Sequence, residues 1–373
     1  MGSELRRPRR AAIGEWLRIA LAITAKDVAD ALRNRSILST LFGVAIILVS
    51  YKYLPALTSR GDSLVIEAPG TPELVAALKV APEYEEIHVV PSLDALREAV
   101  ADHDTVTLGV VLPATLPAAG GGPLRVDGYV QYWASAAGAR QAAALFEGRL
   151  TELLGTPVTV DTAGHRVYPP EGQTGGLLLL GAFSIILAIL MTGLSVTPHL
   201  MLEERRTRTL DALLVSPVTM AQYVVGKVGA GMAYCALAGL LGLASYAALV
   251  VHWGWAILAA LAGAAFTVPL GLLLGSAIRD RQQLAVWVWV LVLPLVTSVF
   301  LAEEAEGLGL PGPLAAVLRW MPTSAVARAL QAAFARPTPP GGYWAAIGLA
   351  LGCAAVLLTA VVRLSSTQAK RGA

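Results

Sequence analysis

Along this chain the apolar residues gather into long runs, and the polar ones fill the gaps between them. A helix needs roughly 20 mostly apolar residues to cross a bilayer. Six stretches meet that rule, approximately residues 37–54, 175–197, 223–251, 255–278, 284–301 and 343–362. Trp253, Trp255, Tyr343 and Trp344 stand at ends of these runs, where amphipathic rings are expected at the headgroup level. Two further apolar segments are too short or too polar to span. From Trp16 to Arg35, the residues Leu17, Leu21, Thr24, Val28 and Leu32 fall on one helical stripe, with Lys26, Asp27, Asp30 and Arg33 facing away. This pattern predicts an amphipathic helix on the cytoplasmic leaflet, with Trp16, Leu17, Leu21, Val28 and Leu32 as its membrane-facing residues. Residues 313–334 are broken by Pro322 into two pieces of about ten residues each, which predicts a re-entrant or surface hairpin.

The polar stretch between the first two runs is long enough to bury a core of its own. Short β-like runs at 64–66, 87–90, 106–112, 126–132 and 158–160 alternate with helix-like runs starting near Pro72, Ser92 and Ala136. A compact mixed α/β domain follows, with residues 118–123 and their three consecutive glycines as a flexible tip. The fold class read from the pattern is therefore a membrane all-α bundle of six transmembrane helices, with a mixed α/β extracytoplasmic domain inserted between the first and second spans. In residue numbers this gives an N-terminal segment with the interfacial helix (1–36), a first span (37–57), the inserted domain (58–173), five further spans (174–364) and a tail (365–373). The helical part includes a loop at 198–222 and the outer hairpin at 311–336.

Composition sharpens this picture. Hydrophobic residues make up 55% of the chain and charged residues 14%, a surplus that only lipid can cover. The net charge of +2 implies no nucleic-acid partner. Arg6, Arg7, Arg9, Arg10, Arg18, Lys26, Arg33 and Arg35 precede the first span, Arg205, Arg206 and Arg208 follow the second, Arg279 and Arg281 follow the fourth, and Lys370 and Arg371 lie in the tail. With six spans all four segments share one side, and the positive-inside rule makes it cytoplasmic, both termini included. The protein is thus expected in the cell membrane as a multi-pass chain. The loop around His252 lacks Lys and Arg, and Glu303, Glu304 and Glu306 open the loop after the fifth span, as suits the outer face. The Arg-rich leader is followed by an apolar run without a small-residue cleavage site, which reads as a retained anchor. Cys235 and Cys353 sit in apolar runs and read as small packing residues, and the inserted domain has no cysteine to staple it.

The stretch 199–227, HLMLEERRTRTLDALLVSPVTMAQYVVGK, carries the most information. Glu203 and Glu204 are followed by Arg205 and Arg206. Leu210, Leu213 and Leu214 then form an i, i+3, i+4 stripe that ends at Pro217. A short helix of this kind in a cytoplasmic loop fits a protein groove; equally, its leucines can rest on the membrane interface. The residues leave both readings open.

A resemblance decides between them. The loop resembles the signature of ABC-2-type permeases: an acidic pair (Glu203, Glu204), a basic, threonine-containing turn (205–209), a leucine-rich run (210–215) and a Ser-Pro pair (Ser216, Pro217) after the second span. Arg208 stands where many members carry glycine. The amphipathic helix is similar to that family's connecting helix, and the proline-broken hairpin at Trp320, Met321, Pro322 and Thr323 to its hairpin before the last span. The large insertion resembles the branch with sodium-extruding and multidrug-type exporter permeases. The resemblance implies a permease dimer, a homodimer, each copy gripping a separate ABC ATPase subunit through Glu203, Glu204, Arg205, Leu210, Leu213, Leu214 and Pro217. ATP is then bound by the partner and the chain itself holds no cofactor.

The residues agree that the chain has no phosphate loop of its own, since Gly226 and Lys227 lack a glycine five residues earlier; Lys227 is expected to snorkel to the inner headgroups. His199 and Glu203 stand at i, i+4, but Arg205 and Arg206 oppose a metal there. His88, His103 and His165 show no ligand spacing and read as surface residues. Gly271 and Gly275 form a GxxxG whose expected role is close helix packing, with a dimer seam as the other reading. Pro269 and Pro294 are expected to kink their helices. No Asp or Glu lies in any of the six runs, which argues against ion-coupled secondary transport. The absence of HExxH, GxSxG or paired intramembrane acids argues against an intramembrane enzyme. The leading expectation is the permease subunit of an ATP-driven ABC exporter for a small amphipathic or lipid-like molecule, a drug or sodium. The alternative is a non-transporting scaffold acting through its extracytoplasmic domain.

Overall fold

The computed structural model describes residues 9–58, 62–67, 72–79, 84–103, 105–113, 123–169, 176–206, 219–278, 280–305, 307–335 and 341–372. The expected glycine-rich tip at 118–123 falls almost wholly outside them. The chain forms two compact units, one of residues 1–49, 182–245 and 252–373 and the other of 50–181 and 246–251.

Helix α1 (Arg9–Arg33) is separated by Asn34 from α2 (Arg35–Thr58), which leads into β1 (Asp62–Glu67), α3 (Pro72–Lys79), β2 (Tyr84–Val90), α4 (Leu93–Asp102), β3 (Leu108–Val111), β4 (Leu124–Gln131), α5 (Ala136–Leu154), β5 (Val158–Asp161) and β6 (Arg166–Val167). These strands form one mixed sheet in the order β2-β1-β3-β4-β5, with β6 also on β4. β1 runs parallel to β2 and β3, β4 antiparallel to β3, and β5 and β6 parallel to β4. Parallel neighbours need crossover connections, and α3, α4 and α5 provide them. Ser92 and Ser135 start α4 and α5 by accepting the amide protons of Ala95 and Gly138.

Successive residues of a strand point to opposite faces. Leu64 and Ile66 therefore join Leu78, Phe146 and Leu150 of α3 and α5 on one side, while Val65 joins Leu96 and Val100 of α4 on the other. Covered on both faces, β1 is a continuous apolar run and not an alternating one. Each β-like run read from the sequence overlaps a strand. The two-residue β6 is too short to leave a periodic signal.

The other unit is helical, built from α6 (Gly176–Arg206) beyond its first residues, α7 (Met220–Ser245), α8 (Trp253–Ala277), α9 (Arg281–Glu303), α10 (Gly312–Arg319), α11 (Pro322–Ala335) and α12 (Gly341–Gly372), together with α1 and the first part of α2. Among the described residues five helices, α6, α7, α8, α9 and α12, are long and apolar enough to span a membrane; the apolar part of α2, Ile37–Tyr53, falls short of that length. On α2 the 3.6-residue period is plain: Ile37, Val44 and Leu48 are buried, while Leu38, Phe42, Ile46 and Val49 are exposed. Pro322 opens α11, where its missing N–H costs nothing. Ser298 of α9 shares hydrogen bonds with Thr323 and Ser324 of that first turn, at 3.0 and 2.9 Å. Of the four ring residues expected at headgroup level, Trp253 and Trp344 are exposed, but Tyr343 is turned inward: it is 1% exposed and donates its hydroxyl to the Trp255 carbonyl at 2.8 Å. A buried phenol needs such a partner.

Lipid offers helices no hydrophobic reason to associate, so close approach of small residues must do it. Gly271 and Gly275 of α8 lie against α6 of the same chain. A Cβ on Gly271 would overlap the Gly193 carbonyl oxygen, and one on Gly275 would come within 2.8 Å of the Pro198 Cα. Both neighbours are backbone or ring and cannot step aside. The GxxxG is an intrachain seam. Gly271→Ala is expected to destabilise the bundle by about 1–3 kcal/mol, the usual cost of overpacking, whereas Gly352→Ala meets open space and should be silent. Thermal unfolding of the purified chain in detergent checks this, and equal midpoints for the two variants would refute the seam.

Candidate coupling junction

Helix α1 is seated on α7. A Cβ on Gly226 would lie 2.6 Å from the Ile23 side chain and 3.2 Å from the Ala20 carbonyl, and one on Gly229 would lie 2.5 Å from Thr24 Oγ1. These two glycines make the groove that receives α1. The Thr24 hydroxyl lies 3.0 Å from the Gly226 carbonyl oxygen and 3.1 Å from that of Ala20 in its own helix. Tyr234 donates its hydroxyl to the Val28 carbonyl at 2.6 Å. The contacts recur at residues 20, 23, 24, 27 and 28 of α1, as a helical face must.

At the centre of this face Lys227 Nζ stands 2.9 Å from Asp27 Oδ2, with both side chains almost fully buried. The ammonium also donates to the Leu200 carbonyl of α6 at 3.3 Å and lies 5.4 Å from the centre of the Tyr223 ring. Two expectations are corrected here. Asp27 does not face away with Lys26 and Asp30, which form an exposed pair at 3.9 Å; and Lys227 does not snorkel, since it is 0% exposed. A buried charge must be paired and hydrogen-bonded, and each of these supplies the other's partner across residues distant in sequence. The signal that existed was a lone Lys seven residues into a glycine-rich apolar helix, together with an Asp beside an apolar stripe.

The membrane-facing stripe accordingly divides. Leu17 and Leu21 are exposed, at 48% and 65%, Trp16 is half-buried, and Val28 packs against Ile37, Val196, Leu200, Ala230 and Tyr234. The side chain of Leu32 is not among those described.

Leu200 lies in the last two turns of α6, and Lys227 in the second and third turns of α7. The pair therefore joins α1 to the two helix ends that flank residues 207–218. Glu203, Glu204 and Arg205 belong to the last turns of α6, their side chains outside the described set, and Leu210, Leu213, Leu214 and Pro217 lie outside the described residues. The far end of the loop is fixed by a capping box. Gln222 Oε1 accepts from the Thr219 amide at 2.8 Å, and Thr219 Oγ1 accepts from the Gln222 amide at 3.3 Å. His199 turns back to the Ser195 carbonyl of its own helix.

In the sheet unit, the rings of His88 and His103 meet edge to face with centroids 5.4 Å apart, and both are half-buried, which corrects their reading as scattered surface residues. β2 and the end of α4 bring them together.

Removing one member of a buried ion pair strands the other, at a cost of about 3–5 kcal/mol. Lys227→Met alone and Asp27→Leu alone are each expected to lower stability by that order, and the double variant to recover most of it. A double-mutant cycle on thermal unfolding measures the coupling; additive losses would show that the two charges do not interact.

Comparison with protein families shows that the chain matches the model of the ABC-2 family transporter proteins over residues 35–363. A comparison with curated proteins gives no match. The match takes in α2, the whole sheet unit, α6 to α11, α12 as far as Arg363 and the loop at 207–218, but not α1, and so this chain belongs to the ABC-2 family of transporter proteins.

Proposed function

We infer that the chain is the transmembrane subunit of an ATP-driven exporter whose ATPase is a separate protein. The observation that carries this reading is the junction at which α1, α6 and α7 are tied by Asp27, Lys227 and the Leu200 carbonyl, beside the loop whose residues resemble a motor-docking signature. A push on residues 203–217 from a nucleotide-driven partner would act on three helices at once. Family membership supports the permease role. The rest of the proposal comes from the sequence: α2 as a sixth span, an extracytoplasmic sheet unit, cytoplasmic termini, and two copies of the permease rocking between inward and outward openings. The cargo class proposed is a small amphipathic or lipid-like molecule, because the six apolar runs hold no acidic residue to bind a bare cation.

Docking is assigned to Leu210, Leu213 and Leu214 in a groove of the motor, with Glu203, Glu204 and Arg205 at its rim. Fully burying one leucine is worth about 1.5–3 kcal/mol, so Leu213→Ala with Leu214→Ala should weaken docking by roughly two orders of magnitude. The variant should insert normally, release the ATPase and lose export; copurification and transport at the unsubstituted level would sink this assignment. An impermeant thiol reagent should reach a cysteine placed at Gly121 from outside, and one placed at Thr207 only after permeabilisation. The opposite labelling would reverse the orientation. ATP turnover by the purified chain alone would contradict a separate motor.

A further inference from the structure

The connection between α7 and α8 does not cluster with the helices it joins. Residues 246–251 belong to the compact unit formed by residues 50–181. Tyr246, Leu249 and Val250 are buried, at 4%, 2% and 8% exposure, and the turn closes on itself by a hydrogen bond from the Leu249 amide to the Tyr246 carbonyl at 2.9 Å. Tyr132, just past the end of β4, donates its hydroxyl to the Leu249 carbonyl at 3.1 Å. Its ring is stacked on that of Tyr168, with centroids 4.8 Å apart and planes inclined by 13°, and its own amide is held by the Val167 carbonyl at 2.9 Å. The ring is thus held by its stack and its backbone by β6 before its hydroxyl reaches the turn. Burial first, and the neighbouring Tyr168 second, push the Tyr132 phenol well above the ordinary tyrosine range, so it keeps its proton and remains a donor.

A largely buried phenol needs an acceptor, and the one Tyr132 uses is the Leu249 carbonyl, a group whose position is set by the chain path and not by a rotamer. Because α7 ends at Ser245 and α8 begins at Trp253, whatever holds Leu249 also limits where those helix ends can go. The α8 side of the connection is restrained again by the His252 amide, which donates to the Ala333 carbonyl of α11 at 3.0 Å.

We propose that Tyr132 is a positioning residue by which the sheet domain clasps residues 246–251, so that this turn of the chain stays with the domain during the transport cycle. The functional part of this proposal rests on the transporter reading; the clasp itself does not.

The test uses the full chain in lipid nanodiscs and, for transport, in proteoliposomes with its ATPase. Tyr132→Phe keeps the ring and its stack and removes only the hydroxyl. Hydrogen exchange of the amides at 246–251 is expected to rise roughly fivefold, the effect of losing one neutral hydrogen bond, while protection of β4 and α5 and the unfolding midpoint stay as they were. In the complex, export of a fluorescent amphipathic dye per ATP hydrolysed should fall severalfold with ATP turnover retained, a split that a merely structural role would not produce. Tyr132→Trp, which restores a ring donor, should recover part of both. Unchanged exchange at the turn overturns the clasp; raised exchange with transport per ATP intact overturns the positioning role. A chain that associates with no ATPase would defeat the transporter reading, and the exchange result would still decide the clasp.

Discussion

A carboxylate and an ammonium withdrawn together from solvent, Asp27 on α1 and Lys227 on α7, impose the geometry on which the helical unit depends. Neither charge tolerates burial alone, so the two helices must meet in one register, and the Leu200 carbonyl then completes the ammonium's shell from α6. That register accounts for the residues around it. Gly226 and Gly229 have to be glycine because Ile23 and Thr24 occupy the space their side chains would need. Tyr234 and Thr24 bond across to backbone carbonyls of the opposite helix, contacts that fit only when the charges are aligned. Such a pair contributes little net stability, since desolvation offsets most of the attraction, but a misaligned pair is costly. Its effect is to exclude other arrangements of α1.

Away from the pair the bundle is held by fit and by satisfied hydroxyls. α6 lies in the middle, with Ala182, Ile185, Ala188 and Leu194 fully buried, and α7 and α8 approach it where Gly242, Gly231, Gly271 and Gly275 leave room. The Ser298 hydroxyl bonds those of both Thr323 and Ser324 and so secures the first turn of the short helix α11 to α9. The exposed faces tell the complementary story. Val286, Trp287, Trp289, Val290 and Leu293 on α9 and Leu351 and Val356 on α12 present large apolar side chains outward, as a chain surrounded by lipid allows and a soluble one does not.

The sheet unit follows the opposite physics. Its sheet lies between the first two apolar runs and buries two conventional cores, one on each face, without a cysteine. Gly109 on β3 lets Leu96 and Val100 of α4 press onto the strand. Gln131 links its side-chain amide to the Thr105 carbonyl and the Thr107 amide at 2.8 and 3.1 Å, closing the loop that enters β3.

From the sequence alone came whatever depends on near neighbours along the chain. The apolar runs define the long helices because 20 residues without charge have few alternatives. The strands of the sheet unit follow from two-residue alternation and continuous apolar stretches, and the approximate starts of α4 and α5 from the helix-like runs near Ser92 and Ala136. The break at Pro322, where α11 starts, is equally local. The loop signature was legible as a family pattern, although residues 207–218 lie outside those described. What only the tertiary structure decided was which distant residues meet. Asp27 looked like part of a solvated face and Lys227 like a snorkelling side chain, because each is read by its own neighbours and the partner stands about 200 residues away. The same holds for Gly271 against Gly193, for the two histidines brought edge to face, for the inward turn of Tyr343, and for Tyr132 reaching Leu249. Periodicity says which side of a helix or strand is apolar. Burial of a charge or a close backbone approach is settled only by the group on the other side, and that is a property of the fold.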